Sequence, residues 1–359
     1  MVFYISKLRF GLVGYGTRGK YWIFALRSKR DVDMVAVCDI REKAAKKAAT
    51  LSGADFYTDN YEEFIKQDLD AIVIATPHFL HAPQTILAAE NEINVLCEKP
   101  MAITLKECDD MIRAANQNDI KLSIGFQHRF DEQYIKMKQA IDAGALGDIF
   151  QINLSFRKWR SEMYYEQSTH HWRGRWTTEG GGVLINQAVH FIDLFQWLGG
   201  DIENIFASAK ISRHEFQEVE DNVNAIVNFK NGAHGQFHSA ITYDYDKGIE
   251  LGIYGTKASL VWRNHKLHNS MTRKAKRNSF WGDLKKNLKH PHLENFIQSI
   301  KEDDKSIISV NGEEGRKSIE FIRGIYMSEI SGRKVRFPVN DNGTFPTLGR
   351  YYKTEWENL

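Results

Sequence analysis

From Leu8 to about Gly125, short runs dense in apolar and β-branched residues alternate with longer stretches of helical composition. LRFGLV, MVAVCD, AIVIATP, INVLCEKP and IKLSIGF read as strands, and their near-continuous apolar character fits strands covered on both faces. Between them, Arg18–Ser28, Arg41–Leu51, His81–Glu90 and Leu105–Asn118 read as helices. Strand–helix alternation of this kind predicts an α/β domain with a doubly wound parallel sheet.

The pattern changes after about Phe130. An amphipathic helix, Asp131–Ala143, leads to a long strand, Ile149–Trp159, and a polar, aromatic loop precedes a predicted helix over Val183–Leu198. Ile202–Ile211, Asn222–Phe229, Ala233–Thr242 and Gly248–Tyr254 read as successive strands, two of them joined by the turn Lys230-Asn231-Gly232. This predicts an α+β second domain with a large, mainly antiparallel sheet and a helix on one face. Leu293–Ile300 and Glu313–Ile330 read as C-terminal helices that pack either on their own domain or back on the first. The expected organisation is a dinucleotide-binding domain over 1–128, a substrate and oligomerisation domain over 129–338, and a tail over 339–359.

A chain of 359 residues suits two cores better than one. Its formal net charge of +2 recruits neither nucleic acid nor an anionic membrane. No run of apolar residues is long enough to span a bilayer, and the first residues carry no signal-peptide pattern. Cys38, Cys97 and Cys108 lack zinc or disulfide spacing, which points to a reduced, cytoplasmic protein. The locally basic stretch 263–289 is either a solvated excursion or a surface for an anionic substrate or partner. The aromatic tail, with Phe345, Tyr351 and Tyr352, packs either on another subunit or on its own domain.

Candidate chemistry begins at Gly14-Tyr15-Gly16-Thr17-Arg18-Gly19, between the first strand and the first helix. The first glycine permits a tight turn, the second lets backbone approach a pyrophosphate, and the third packs helix on strand. The amides of the helix start then face the phosphates. Asp39, ending the second strand, can accept hydrogen bonds from a ribose and would repel a 2′-phosphate, which favours NAD; Arg41 nearby keeps NADP possible. Thr76-Pro77-His78, with His81, follows the next long strand at the carboxyl edge where such sheets bind ligands.

Three later motifs carry a family resemblance: Cys97-Glu98-Lys99-Pro100, Gly125-Phe126-Gln127-His128-Arg129-Phe130, and Gly180-Gly181-Gly182-Val183-Leu184-Ile185-Asn186-Gln187-Ala188-Val189-His190-Phe191-Ile192-Asp193. Together with the glycine turn they resemble the glucose–fructose oxidoreductase / inositol dehydrogenase / MocA family, over about Lys7 to Pro338. The resemblance implies a Rossmann domain, a second domain built on a large open sheet, and hydride exchange between a nicotinamide and a carbinol carbon of a sugar or cyclitol. Homodimers or homotetramers formed through the open sheet are implied as well. The expected cofactor contacts are Gly14, Tyr15, Gly16, Thr17, Arg18, Asp39, Ile40, Arg41, Thr76, Pro77, His78, His81, Glu98, Lys99 and Gln127.

Oxidising a secondary alcohol needs a base for the hydroxyl proton, and His190 is suited because imidazole is half-titrated near neutral pH. The Lys99 ammonium can stabilise the developing alkoxide. The resemblance implies these roles for both. In many relatives the position of Asn186 is aspartate; the amide here cannot raise the basicity of His190, so Asn186 is expected to orient a substrate hydroxyl, sharing a helical face with His190. Arg129, Trp172 and Arg173 are further substrate candidates. His170 and His171 are adjacent and lack acidic or cysteine partners at suitable spacing, so no metal is expected. Two other functions stay open: transient oxidation of a glycoside, for example at C3, by retained NAD to permit elimination, and a non-catalytic NAD- and sugar-sensing regulator such as the galactose-pathway repressor of that family.

Overall fold

The computed structural model describes residues 7–168, 171–263, 265–269, 290–339 and 341. His170, the basic cluster Arg273, Lys274, Lys276 and Arg277, and the aromatic tail lie outside the described residues.

In chain order the elements are β1 (Leu8–Val13), α1 (Thr17–Arg27), β2 (Val32–Cys38), α2 (Glu42–Ser52), β3 (Phe56–Thr58), α3 (Tyr61–Phe64), β4 (Ala71–Ile74), α4 (His81–Glu90), β5 (Asn94–Cys97), α5 (Leu105–Gln117) and β6 (Leu122–Ile124). There follow α6 (Glu132–Asp142), β7 (Ile149–Arg157), α7 (Glu162–Glu166), a π-helical turn (Val183–Ala188), α8 (Val189–Gly199), β8 (Ile202–Lys210), β9 (Asn222–Phe229), β10 (His234–Ala240), β11 (Gly248–Gly255), β12 (Ser259–Arg263) and β13 (Lys266–Asn269). The last are α9 (Pro291–Lys301), α10 (Gly312–Ser331) and β14 (Val335–Arg336).

The described chain divides into two compact units, 7–102 with 106–126 and 290–316, and 103–105 with 127–269 and 317–341. In the first unit six parallel strands run in the order β3-β2-β1-β4-β5-β6. The chain reverses its progress across the sheet between β1 and β4, the switch point at which such sheets bind ligands. Phe10, Leu12, Trp22, Val37, Val73 and Leu96 are buried together, and α9 adds Leu293, Phe296 and Ile297 to this core. Each such side chain contributes about 1.5–3 kcal/mol on burial. The edge of β6 is partly covered, as Ile124 N–H donates to the Val310 carbonyl at 2.9 Å. Cys38, Cys97 and Cys108 are buried free thiols, and burial pushes the Cys38 thiol up to about 12.

In the second unit eight strands run in the order β13-β12-β11-β7-β10-β9-β8-β14. All neighbours are antiparallel except β7 and β10. Strict alternation in β9 buries Val223, Ala225, Val227 and Phe229 while Ile226 faces outward, opposite Phe206 of β8. At the β9–β10 turn, Gly232 takes φ +88° and Asn231 Oδ1 accepts from Ala233 N–H at 3.1 Å. Part of the basic stretch is ordered strand, because Ser259–Arg263 and Lys266–Asn269 form a hairpin on the edge of this sheet.

The predicted helix over Val183–Leu198 is not continuous. Its first six residues form a π turn, and regular α geometry begins at Val189. The assumption that Asn186 and His190 occupy one regular α-helical face is therefore corrected. The wider turn places the two residues at an angle that 3.6-residue periodicity does not give.

Candidate active site

The glycine turn has the shape a dinucleotide phosphate needs. Gly14 sits at φ +90°, and a Cβ there would lie 2.7 Å from the Ala75 carbonyl oxygen. A Cβ on Gly19 would lie 1.9 Å from the Gly14 oxygen, so α1 packs directly on the turn. A Cβ on Gly16 would meet nothing within 4 Å, and no side chain caps α1 there. Open space above an uncapped helix start is what a pyrophosphate would fill. The residues present thus fit NAD.

Asp39 is buried behind the turn. Its Oδ2 accepts from Tyr15 N–H at 2.7 Å, and its Oδ1 accepts from Arg41 N–H and Nε at 3.0 Å. Burial alone would raise its pKa, but the Arg41 bond and the two amides outweigh it and hold the carboxyl below its usual range. The carboxylate is charged at neutral pH and keeps lone pairs for a ribose. Ile40 beside it is 71% exposed, an apolar surface suited to an adenine. Arg41 is paired with Asp39.

Thr17 opens α1. The side chain of Arg18, a cofactor-contact candidate, is paired with Glu98, with Nε 2.7 Å and Nη2 2.6 Å from Oε1. Trp22 Nε1 donates to the same oxygen at 2.8 Å, and Glu98 Oε2 accepts from Lys99 N–H at 3.2 Å. Glu98 is thus spent inside the protein, tying α1 to the exit of β5 where Lys99 stands. His81 is similarly committed: Nδ1 lies 2.7 Å from the Pro100 carbonyl and Nε2 2.9 Å from that of Thr76. It joins the exits of β4 and β5 and has no ring nitrogen left for a cofactor. The Thr76 hydroxyl donates to Gln84 at 2.7 Å, Pro77 precedes the short helical turn His78–Leu80, and His78 is buried within it.

Behind this loop lies His292 of α9, with Nε2 3.0 Å from the Ser123 hydroxyl. Burial lowers its pKa to about 4, with Glu98 opposing and Arg18 assisting. Between pH 6.5 and 4 the unfolded chain therefore binds a proton that the native state refuses, and stability falls on acidification by roughly 3 kcal/mol across that window. Gln in place of His292 keeps a partner for Ser123 and removes the titration. Urea unfolding near neutrality and near pH 4.5 is expected to show a smaller acid loss in His292→Gln than in the parent; equal losses would refute this account.

In the second unit His190 is half-buried in the first turn of α8. Its ring stands edge-on to His128, with centroids 4.8 Å apart, and His128 Nδ1 lies 2.7 Å from Asp131. Gln127 opens the short helical turn that carries His128. Asn186 bonds the carboxyl of Glu179 through its amide nitrogen, and its oxygen accepts from the Tyr164 hydroxyl and Gln187 Nε2, both at 3.2 Å. Glu179 is fully buried; burial pushes its carboxyl up to about 8 against the Gly174 amide and Asn186. A carboxyl therefore does stand beside Asn186, supplied from seven positions upstream. Sequence reasoning passed over Glu179, although its place just before the triple glycine was a signal. It also passed over Gln187 within the π turn, and over His128 and Tyr164, which the folded loops bring to His190 and Asn186.

Gly180 and Gly181 take φ +84° and +150°, and a Cβ on Gly182 would fall 1.9 Å from the Glu220 carbonyl, so the triple glycine lets the chain enter the π turn against that backbone. Arg129, a substrate candidate, is buried in an ion pair with Asp193: Nε lies 3.1 and 2.9 Å from its two oxygens and Nη2 2.6 Å from Oδ1. This occupies the guanidinium edge a substrate would use. Trp172 and Arg173 remain partly exposed and stack, the guanidinium carbon lying 4.9 Å from the ring centroid. No group of three His, Cys, Asp or Glu side chains among the described residues is placed to hold a metal ion.

Residues 8–126 match the NAD-binding Rossmann fold of the GFO/IDH/MocA oxidoreductase family, and residues 134–261 match that family's C-terminal domain. The 1,5-anhydro-D-fructose reductase of Ensifer adhaerens is 29% identical over 259 residues, which are 71% of this chain and 76% of that protein. The myo-inositol 2-dehydrogenase of Thermotoga maritima is 24% identical over 348 residues, 90% of this chain and 100% of that one. Among solved structures, the WlbA dehydrogenase of Bordetella pertussis in complex with NADH and UDP-GlcNAcA superposes with a TM-score of 0.84 at 27% identity, covering 93% of this chain and 100% of that one.

Proposed function

The chain belongs to the Gfo/Idh/MocA family of NAD-binding oxidoreductases, and from that premise we propose that it is a dehydrogenase acting on a secondary alcohol of a sugar, sugar derivative or cyclitol. The observation that carries this reading is the uncapped glycine turn with Asp39 ionised behind it, in a chain that also presents His190 one turn beyond the Glu179–Asn186 pair.

Gly14, Gly16 and the start of α1 hold the pyrophosphate, and Asp39 holds the ribose. Bound NAD supplies the acceptor for the two electrons of the carbinol. His190 takes the hydroxyl proton, and the Lys99 ammonium stabilises negative charge as it develops on oxygen. Asn186, its amide nitrogen bound to Glu179, orients a substrate hydroxyl. Glu98 and His81 position the loop that carries Lys99. We place the enzyme in the cytoplasm, in keeping with three buried free thiols. We assign its homo-oligomer contact to the outer face of the eight-stranded sheet, where Phe206 and Ile226 are exposed. No helix among the described residues is long and apolar enough to cross a membrane.

Purified protein is expected to form NADH with at least one member of a panel of sugars, glycosides, sugar acids, sugar nucleotides and inositols, and to prefer NAD to NADP. Product formation without net NADH would favour transient oxidation of a glycoside. Absence of both across the whole panel sinks the dehydrogenase reading.

A further inference from the structure

We propose that the second unit holds a recognition site for an oxyanion on the substrate, a carboxylate or phosphate carried by the sugar, built from Arg160 and Arg173 around Tyr164. This rests on the dehydrogenase reading above and names the class of sugar that its site takes.

The two guanidinium carbons lie 5.4 and 4.4 Å from the centroid of the same tyrosine ring. Two like charges are thereby held within about 10 Å of each other, an arrangement that repels unless an anion joins it. Neither arginine has a carboxylate within ion-pairing distance among the described residues. Their basic neighbours differ: Lys158 is paired with Asp246 at 2.8 Å and Arg213 with Asp244 at 2.6 Å. Arg160 donates Nε to Gln187 Oε1 at 2.9 Å and Nη1 to the Trp159 carbonyl at 2.8 Å, while Arg173 donates Nη1 to the Tyr164 carbonyl at 3.3 Å. Those neutral acceptors orient the forks without an ion pair, although Asp246, paired with Lys158, lies within the field of Arg160. Glu179 feels Arg173 through space, yet its two oxygens are bound by the Gly174 amide and Asn186.

Two buried polar groups of this loop region lack a hydrogen-bond partner among the described residues. Arg173 Nε is one. The other is the amide of Gln217, 5% exposed, whose nitrogen and oxygen both lack a partner among the described residues and whose Cβ would lie 3.1 Å from a Cβ on Gly174. Buried polar groups are bonded in the great majority of folded proteins, so both point to a polar ligand. The cluster adjoins the reacting residues: the Tyr164 hydroxyl reaches Asn186 and Gln187, and Arg160 reaches Gln187, three positions before His190. A planar guanidinium fork is the side chain that best matches carboxylate or phosphate oxygens.

The test measures binding of glucose, glucuronate, glucose 6-phosphate and UDP-N-acetylglucosaminuronate to the NADH complex by calorimetry, with NADH formation followed separately. A charged member is expected to bind at least about 10-fold tighter than glucose. Arg160→Gln and Arg173→Gln should each reduce the charged-to-neutral ratio by about 10–100-fold, and Arg173→Lys should recover part of it. Glucuronate against glucose 6-phosphate separates a carboxylate from a phosphate. Equal or undetectable binding of charged and neutral members overturns the proposal, as does a ratio that both glutamine variants leave unchanged. Tight charged binding with neither NADH nor product formed across the wider panel above would sink the dehydrogenase reading and leave this site standing, whereas NADH formed from neutral sugars alone would do the reverse.

Discussion

Methionine in place of Lys99 is expected to lower turnover by about 10²–10⁴-fold, with NADH still bound. Methionine keeps the length and apolar stem of the side chain and removes the ammonium. The backbone at this position is held independently of that group, because the Lys99 amide donates to Glu98, which is anchored by Arg18 and Trp22. The loss should therefore fall on kcat, where a group that stabilises charge only in the transition state acts. His190→Ala is expected to lose a comparable factor, since proton removal then falls to water. Steady-state rates on the substrate found in the panel, with NADH binding followed by fluorescence, check both. If either variant turned over near the parental rate, that residue would have no part in the chemistry.

Arg129→Met is expected to cost about 3–5 kcal/mol of stability, the second large effect. The reason is the carboxylate left behind: Asp193 is 1% exposed, and its bonds from Arg129 are its charge compensation. Removing Arg129 leaves a buried carboxylate without its guanidinium partner. The double variant Arg129→Met, Asp193→Leu removes both charges and should recover most of the loss. Urea unfolding of the three proteins decides it; a double variant no more stable than the single one would show that packing, not the bare carboxylate, sets the cost. The same measurement separates this role from the substrate contact expected for Arg129, which would raise KM and spare stability.

Much of the first unit is legible along the chain. Strands covered on both faces need apolar runs, and a phosphate turn needs glycine at positions where a Cβ would strike backbone, as at Gly14 and Gly19. These are local demands. The strand Phe56–Thr58 escaped notice because three residues at a sheet edge carry too little pattern. The roles of Arg18, Glu98 and His81 were placed near the cofactor on position alone; their actual partners lie 80, 76 and 19 residues away, so no local reading could find them.

The second unit divides in the same way. Alternation along β9 and the Asn231-Gly232 turn were enough to predict the hairpin, since period and turn chemistry are properties of neighbours in sequence. The π turn before His190 was not, because it depends on Gly182 closing against the Glu220 backbone. The absence of aspartate at position 186 was plain in the sequence, whereas the burial of Glu179 against Asn186 was decided only by the fold. Sequence by itself determined which side chains with suitable chemistry exist and which elements bear them. Tertiary structure alone decided which of them remain available, because hydrogen bonds and ion pairs form between whatever groups the packing brings together, and a group with every bonding position taken, as both ring nitrogens of His81 are, cannot serve a ligand.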